Sequence, residues 1–184
     1  RDSTISASSA TEIALKYFPY ISAFVIIIFF IGLFLANLFK VDRSLGILIA
    51  SGTAICGATA MAAISPLIKS KPKDLFAALT IIFVFNAIAI GIFPLIGVAT
   101  GMNFESFGAW SSMAVHDTAS VIGTAIAFGG DAVETATILK LSRTIWLIPL
   151  IIILGIFYQD RSKPKLPIFI LLFIIAIALG TILE

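Results

Sequence analysis

The chain has one histidine, His116, and it stands directly before a carboxylate, Asp117. Both fall inside Gly108–Gly130, a stretch of small and apolar residues flanked on either side by hydrophobic runs long enough to cross a bilayer. A carboxylate at mid-depth costs roughly 2.5–3.5 kcal/mol even on the mildest insertion scales, so it is retained for a partner, an ion or a wet cavity. Histidine is the side chain that changes charge near neutrality without perturbation, which makes the pair a candidate for proton or cation coupling. The plainer alternative is a helix end in the headgroup region, where water satisfies both groups. On one helix His116 aligns with Ser120 and Gly123, and Asp117 with Val121 and Thr124, while Ser112 joins the His116 side one turn earlier. His116, Asp117, Thr118 and Ser120 are therefore the expected coupling residues.

A second set of polar groups lies in a run of small residues, Ala50-Ser-Gly-Thr-Ala-Ile-Cys-Gly-Ala-Thr-Ala60, in which Ile55 is the one large side chain. Small residues in a membrane segment serve close helix contact, or they mark a helix that breaks at mid-depth and turns freed backbone groups and hydroxyls toward a solute. Residue physics leaves these two readings even. Further on, Lys140 and Arg143 are three apart and share a helical face. An arginine there suits the oxygens of an anion; the alternatives are interfacial snorkelling, more so for Lys140, or pairing with Asp131 and Glu134. Asn86, near the centre of another apolar run, is either interhelical glue or a site residue. Ser51, Thr53, Cys56, Gly57, Asn86 and Arg143 make up the expected solute-binding set.

Enzymatic chemistry finds little support. One cysteine and one histidine, with no third group to orient them, make a weak nucleophile pair. The chain has no HExxH, GxSxG, Walker or dinucleotide motif, and its single cysteine rules out an intrachain disulfide or a CxxC site. The expectation is a protein that is not an enzyme and holds no cofactor or metal.

Composition sets the class. Sixty per cent of the 184 residues are hydrophobic and 12% charged, against roughly 45–50% and 25% in soluble domains. The reading is an all-α polytopic membrane protein in contact with the lipid bilayer. Its net charge of +2 is too small to suggest nucleic acid, and its basic residues cluster between apolar runs as loop charge does. The chain begins at Arg1 without a signal-peptide pattern and is read as a fragment, or as the mature remainder of a longer protein.

The elements expected to position these groups follow in order. Residues 1–10 form a polar segment, and 11–184 a single helical membrane domain. A short amphipathic turn precedes Pro19. Spanning or partly spanning helices are expected over 20–39, 44–68 (broken), 75–98, 108–129 (broken or re-entrant), 131–158 and 166–183. Asp131 is a candidate helix N-cap, with Glu134 placed for a capping box. Lys69, Lys71 and Lys73 put their loop on the cytoplasmic side, and Glu105 fits an external one. A second basic loop holds Arg161, Lys163 and Lys165. It joins the first on the inside only if the central stretch dips in and returns, so the re-entrant reading fits better than a full crossing.

Four segments occur in a familiar order: Gly52-Thr-Ala-Ile-Cys-Gly57, Phe107-Gly-Ala-Trp110, Val115-His-Asp-Thr-Ala119 and Ile138-Leu-Lys-Leu-Ser-Arg143. Together they resemble the YeiH-type family of bacterial inner-membrane proteins, commonly labelled sulfate exporters, whose members are about twice this length. The resemblance covers nearly the whole chain after Thr11 and identifies it as a middle portion. It implies a multi-pass inner-membrane protein with an inverted-repeat, secondary-transporter-like fold and a helix broken near Gly52–Gly57. The implied function is export of a small anion, sulfate or an organosulfur acid, coupled to H+ or Na+, with homo-oligomers an option. Ser51, Thr53 and Gly57 would meet the anion, His116 and Asp117 would serve the coupling ion, and Arg143 would add charge. The alternative is a non-transporting scaffold or assembly subunit. The chain departs from the family pattern at Ala54 and Ala58, where serine and asparagine are usual, and at Ser120, where glutamine is usual; each change removes or shortens a polar group.

Overall fold

A computed structural model describes residues 7–158. Among them, all regular structure is α-helical: α1 Ala7–Leu38, α2 Arg43–Ala54, α3 Ala58–Ile64, α4 Pro72–Ala99, α5 Phe104–Ala114, α6 Thr118–Phe128, α7 Ala132–Thr144 and α8 Leu147–Tyr158. The second basic loop and the expected helix over 166–183 lie outside the described residues, as do the first six residues of the polar segment.

Among the described residues, three stretches are long and apolar enough to span a bilayer: Leu15–Leu38, Pro72–Ala99 and Ala132–Tyr158. The first belongs to a helix that starts well before Tyr20 and runs straight through Pro19, so the expected turn at residues 11–18 is helix instead. Proline removes one hydrogen bond to the carbonyl four residues back, a loss that neighbouring groups in a membrane helix can cover. The third stretch is interrupted at Ile145–Trp146. Pro149 explains the break, because its ring excludes a helical bond to the Ile145 carbonyl. Pro72 opens α4 at a first-turn position, where its missing N–H has no helical partner to lose, and Asp74 follows it in the first turn.

The remaining helices are half-length and form two hairpins. At 11 residues each, α5 and α6 rise only about 16 Å, roughly half of a hydrocarbon core. They fold back on one another: Phe107 stacks on Phe128 with centroids 3.8 Å apart, and Phe104 meets Phe128 edge-on at 5.9 Å. Residues 104 and 128 thus lie at the same end, and the central stretch is re-entrant rather than crossing. The α2–α3 pair also turns back, with Gly52 packed against Met61 and against Ile82 of α4.

The two hairpins enter from opposite ends. Gly46 and Ala50 of α2 pack on Ala36 and Gly32 of α1, so the base of the first hairpin lies at the end that carries Lys40 and Arg43. Along α4, Ile82 touches the first hairpin, Asn86 reaches the tip of the second, and Gly97 meets Phe107 and Phe128 at the second hairpin's base. Each hairpin is followed by a spanning stretch, α4 in one case and α7–α8 in the other. The order hairpin–span is therefore repeated with inverted direction.

Apolar burial gives helices little reason to associate inside a bilayer, so close approach of small residues must carry the packing. A Cβ on Gly108 would lie 2.6 Å from the Ala132 carbonyl oxygen and 2.9 Å from Thr135 Cβ, which brings α5 and α7 almost into backbone contact. Phe34, Phe83, Phe85 and Leu95 point outward from α1 and α4, as lipid-facing residues do.

Candidate functional site

The two hairpins meet tip to tip. The first turns at Ile55–Gly57, where the Gly57 N–H reaches back to the Gly52 carbonyl at 2.8 Å and Gly57 holds φ +63°. A side chain there would be strained by the backbone and would also lie 3.2 Å from Asp117 Cβ. The second hairpin turns at Val115–Asp117. His116 and Asp117 therefore sit in a break and not on a helix. The continuous stripe through Ser112, His116 and Ser120 does not form, since Ser112 belongs to the other arm of the hairpin. The physical reason is capping: Asp117 is the N-cap of α6 and takes the Ser120 N–H at 2.9 Å through Oδ1, a contact that requires non-helical backbone at the cap.

Around that break four side chains form one network. The Asp117 carboxylate also accepts the Ser120 hydroxyl at 2.7 Å and the amide of Asn86. Asn86 is buried within α4, and its Oδ1 accepts the His116 backbone N–H at 3.1 Å. The same oxygen lies 2.9 Å from His116 Nδ1. An amide oxygen can only accept, so Nδ1 carries a proton and Nε2 is the nitrogen free to gain or lose one. Asn86 thus ties α4 to the second hairpin. His116, Asp117, Thr118 and Ser120 are each half-buried, which opens the network to one side.

Beneath it lie two cations. Lys140 is fully buried, and its ammonium donates to the carbonyls of Val115 (2.9 Å) and His116. Arg143 is 1% exposed. Its Nε donates to the Ala54 carbonyl at 2.7 Å, Nη1 to those of Ser112 and Met113 at 3.0 and 2.9 Å, and Nη2 to that of Thr53. These six oxygens are the unsatisfied carbonyls at the C-terminal ends of α2 and α5 and in the second turn, where helix dipoles put partial negative charge. Among the described residues no carboxylate lies within ion-pair distance of either side chain; the one salt bridge there joins Lys16 to Glu105. Neither snorkelling nor pairing with Asp131 and Glu134 describes these side chains. Asp131 stands at the N-cap of α7 without a side-chain cap bond.

The expected solute-binding residues are only partly brought together. Asn86 and Gly57 stand at the hairpin tips. Thr53 contributes its carbonyl to Arg143. Ser51 turns its hydroxyl back to the Ile47 carbonyl at 2.6 Å within its own helix, and so does not face the junction as a free donor. Cys56 is buried at the first tip. The partners of Arg143 were not foreseen: its guanidinium donates to four helix-end carbonyls. Thr118 makes no side-chain hydrogen bond among the described residues. Lys140, which the sequence reading placed on one face with Arg143 but weighted toward snorkelling and left out of the solute-binding set, turns inward to the second tip.

At the base of the second hairpin Glu105 accepts from the Tyr17 hydroxyl at 2.8 Å and from Lys16 at 3.1 Å. The Tyr17 hydrogen bond first, and Lys16 second, hold this exposed carboxyl below its ordinary range. A cleft of about 770 Å³ between α1, α2 and α8 shares no residue with the hairpin tips and is apolar except for Asn37, Arg43 and Tyr158.

A family description, Conserved hypothetical protein 698, matches residues 3–184. A UPF0324 membrane protein of Bacteroides thetaiotaomicron is 43% identical over 155 residues, 83% of this chain and 47% of the relative. One of Shewanella oneidensis is 39% identical over 177 residues, 96% of this chain and 56% of the relative. One of Photobacterium profundum is 43% identical over 147 residues, 79% and 45% respectively. The chain thus spans about half the length of the curated relatives it matches. No solved structure matches it. A polytopic helical chain with this match over nearly its whole length belongs to the Conserved hypothetical protein 698 family, the YeiH-type proteins named UPF0324 membrane proteins.

Proposed function

We propose that the chain forms the central part of a secondary transporter for a small anion, in the inner membrane, and is not an enzyme. The observation that carries this reading is the meeting of two opposed half-helix hairpins over buried Lys140 and Arg143. Non-helical backbone and ionised side chains at membrane depth are tolerated where they line a solute or ion path, and inverted hairpin–span units are how many transporters build one. The donor-rich side chains of Lys140 and Arg143 at the tips, against the one carboxylate of Asp117, favour an anionic solute over a cation or a sugar. Coupling to H+ or Na+ falls to His116, whose Nε2 is not engaged by Asn86, and to Asp117. Export, and a sulfur oxyanion such as sulfate or an organosulfur acid, follow from the family resemblance.

The test is flux in proteoliposomes, using the family-length protein with labelled sulfate and a panel of small sulfonates. Saturable movement of at least one anion, lost in Asp117→Asn while the protein still melts cooperatively, is the expected result. Folded protein that moves none of them would point to a scaffold or assembly subunit, in which the hairpin junction serves packing alone.

A further inference from the structure

An apolar groove runs from the basic end of the molecule to the first hairpin tip, and we infer that it holds one acyl chain of an anionic glycerophospholipid whose phosphate is bound by Arg43. The groove has two connected parts. The cleft of about 770 Å³ between α1, α2 and α8 continues into a cavity of about 150 Å³. That cavity ends on Ala54 and Ile55 of the first tip and on Trp146 and Pro149 at the break between α7 and α8. Phe29, Phe30 and Ile153 line both parts and make them one path. Phe30 and Ile153 are also exposed outward, so a chain can enter sideways from the bilayer.

Its length separates a lipid from a helix. On α1 the lining extends from Val25 to Asn37, about 18 Å at the helical rise and a little over half of a ~30 Å hydrocarbon core. A spanning helix needs a groove through the whole core, whereas an acyl chain fills one leaflet. This groove is closed at mid-depth. Just beyond its end the Trp146 indole donates to the Ser22 hydroxyl at 3.2 Å, and the Arg143 guanidinium lies 5.0 Å from the Phe24 ring centroid. These contacts join α1 to α7 and leave no way through.

The polar residues of the groove stand at its mouth, as a headgroup requires: Asn37, Arg43 and Tyr158. The Arg43 guanidinium lies 5.4 Å from the Tyr158 ring centroid and makes no ion pair among the described residues. A guanidinium stacked on a ring keeps its N–H fork for a phosphate. Lys40 precedes it, and Lys69, Lys71 and Lys73 are exposed at the base of the same hairpin. Basic pockets between membrane helices on the lysine-rich side are suited to anionic headgroups. At the far end the chain packs beside Ala54, whose carbonyl is held by Arg143, so the lipid supports the first tip.

The test places the family-length protein in vesicles that carry phosphatidylglycerol with a photoreactive diazirine at the end of one acyl chain, and maps the labelled peptides. Labels should reach the blind end, at Ala54, Ile55, Trp146 or Leu150, besides outward residues such as Phe83 and Phe85 that any bulk lipid meets. Ile153→Trp fills the neck between the two parts from a half-exposed position, so the fold should tolerate it. It should remove the labels at the blind end and keep those on α4. Arg43→Gln should lower the blind-end yield about fivefold, toward that of the same probe built on phosphatidylcholine. Labels confined to outward residues in the unmodified protein overturn the inference and show that the rest of the family-length chain covers the groove. Blind-end labels that survive Ile153→Trp, or that arise equally from both lipids, overturn it too. The readout is the position of a label and not flux, so the outcome is separate from that of the transporter reading.

Discussion

Gly57 and Asp117 touch although they belong to hairpins that enter from opposite ends: a Cβ on Gly57 would lie 3.2 Å from the Asp117 Cβ and 3.2 Å from its backbone nitrogen. The close approach places the first tip against the cap of α6 and makes the junction sensitive to a single methyl group. Gly57→Ala is expected to destabilise by about 1–3 kcal/mol, since the positive φ and the short contact act together. Gly57→Val should do more. Gly91→Ala is the control, because nothing lies within 4 Å of a Cβ there and the helix gains from alanine. Thermal melting in detergent reads the difference; equal melting of the Gly57 and Gly91 variants would mean that the tips are not in contact.

Arg143 holds carbonyls from both hairpins at once. Arg143→Lys can reach one set but not the other, and Arg143→Met leaves four helix-end carbonyls without a donor. The lysine variant should lose roughly 1–3 kcal/mol and the methionine variant roughly 3–5 kcal/mol. Both should raise the reactivity of Cys56 toward a maleimide, because its tip is released. Unchanged melting and unchanged labelling would show that the carbonyls find water or another donor.

Asn86 serves His116 and Asp117 together through one amide. Asn86→Leu removes two acceptor contacts and one donor from half-buried groups, at about 1–3 kcal/mol. Asn86→Asp keeps the acceptor and places a second carboxylate beside Asp117, so it should be the worse of the two for anion flux. Flux with melting as a control tests the order; a fully active Asn86→Leu would reduce the residue to interhelical glue.

Glu105, Lys16 and Tyr17 clasp the second hairpin to α1, and the carboxyl's depressed titration fixes the sign of the pH effect. The clasp is fully formed above the ordinary value of 4.5 and is lost as pH falls through the lower folded-state value. Acidification from pH 7 should lower the melting temperature slightly more in the unmodified protein than in Tyr17→Phe, and added salt should shrink the difference because the pair is exposed. Parallel acid curves for both proteins would count against the clasp.

Much of this architecture was legible in the chain. Gly52 and Gly57, with small residues around them, left a break and close packing even, and the family resemblance tipped the reading to a break; the basic loops favoured a re-entrant central stretch over a crossing. What remained hidden was the position of His116 and Asp117. Residues 112–124 have helical spacing whether or not the helix is interrupted, and only the partners of Asp117, which come from α4 and from the cap itself, show the break. The inward turn of Lys140 was hidden for a different reason. A lysine near the end of an apolar run reads the same whether it snorkels to the interface or turns inward, and its targets, the carbonyls of Val115 and His116, have no sequence signature. Arg143 was recognised as important, but its role was not, because backbone acceptors cannot be seen in a string of side chains.

The distance in sequence between Arg143 and the ends it satisfies bears on how the protein is made. The carbonyls of Thr53 and Ala54 wait for a donor that is synthesised about ninety residues later. Until α7 emerges, the first hairpin has unsatisfied polar ends and cannot settle at mid-depth in lipid alone. It must stay in a hydrated setting, at the insertion machinery or the membrane surface, and enter only when α7 arrives. The helices Leu15–Leu38 and Pro72–Ala99 can integrate as they appear, so biogenesis should proceed in two stages, with the spans first and both hairpins folding inward together around α7.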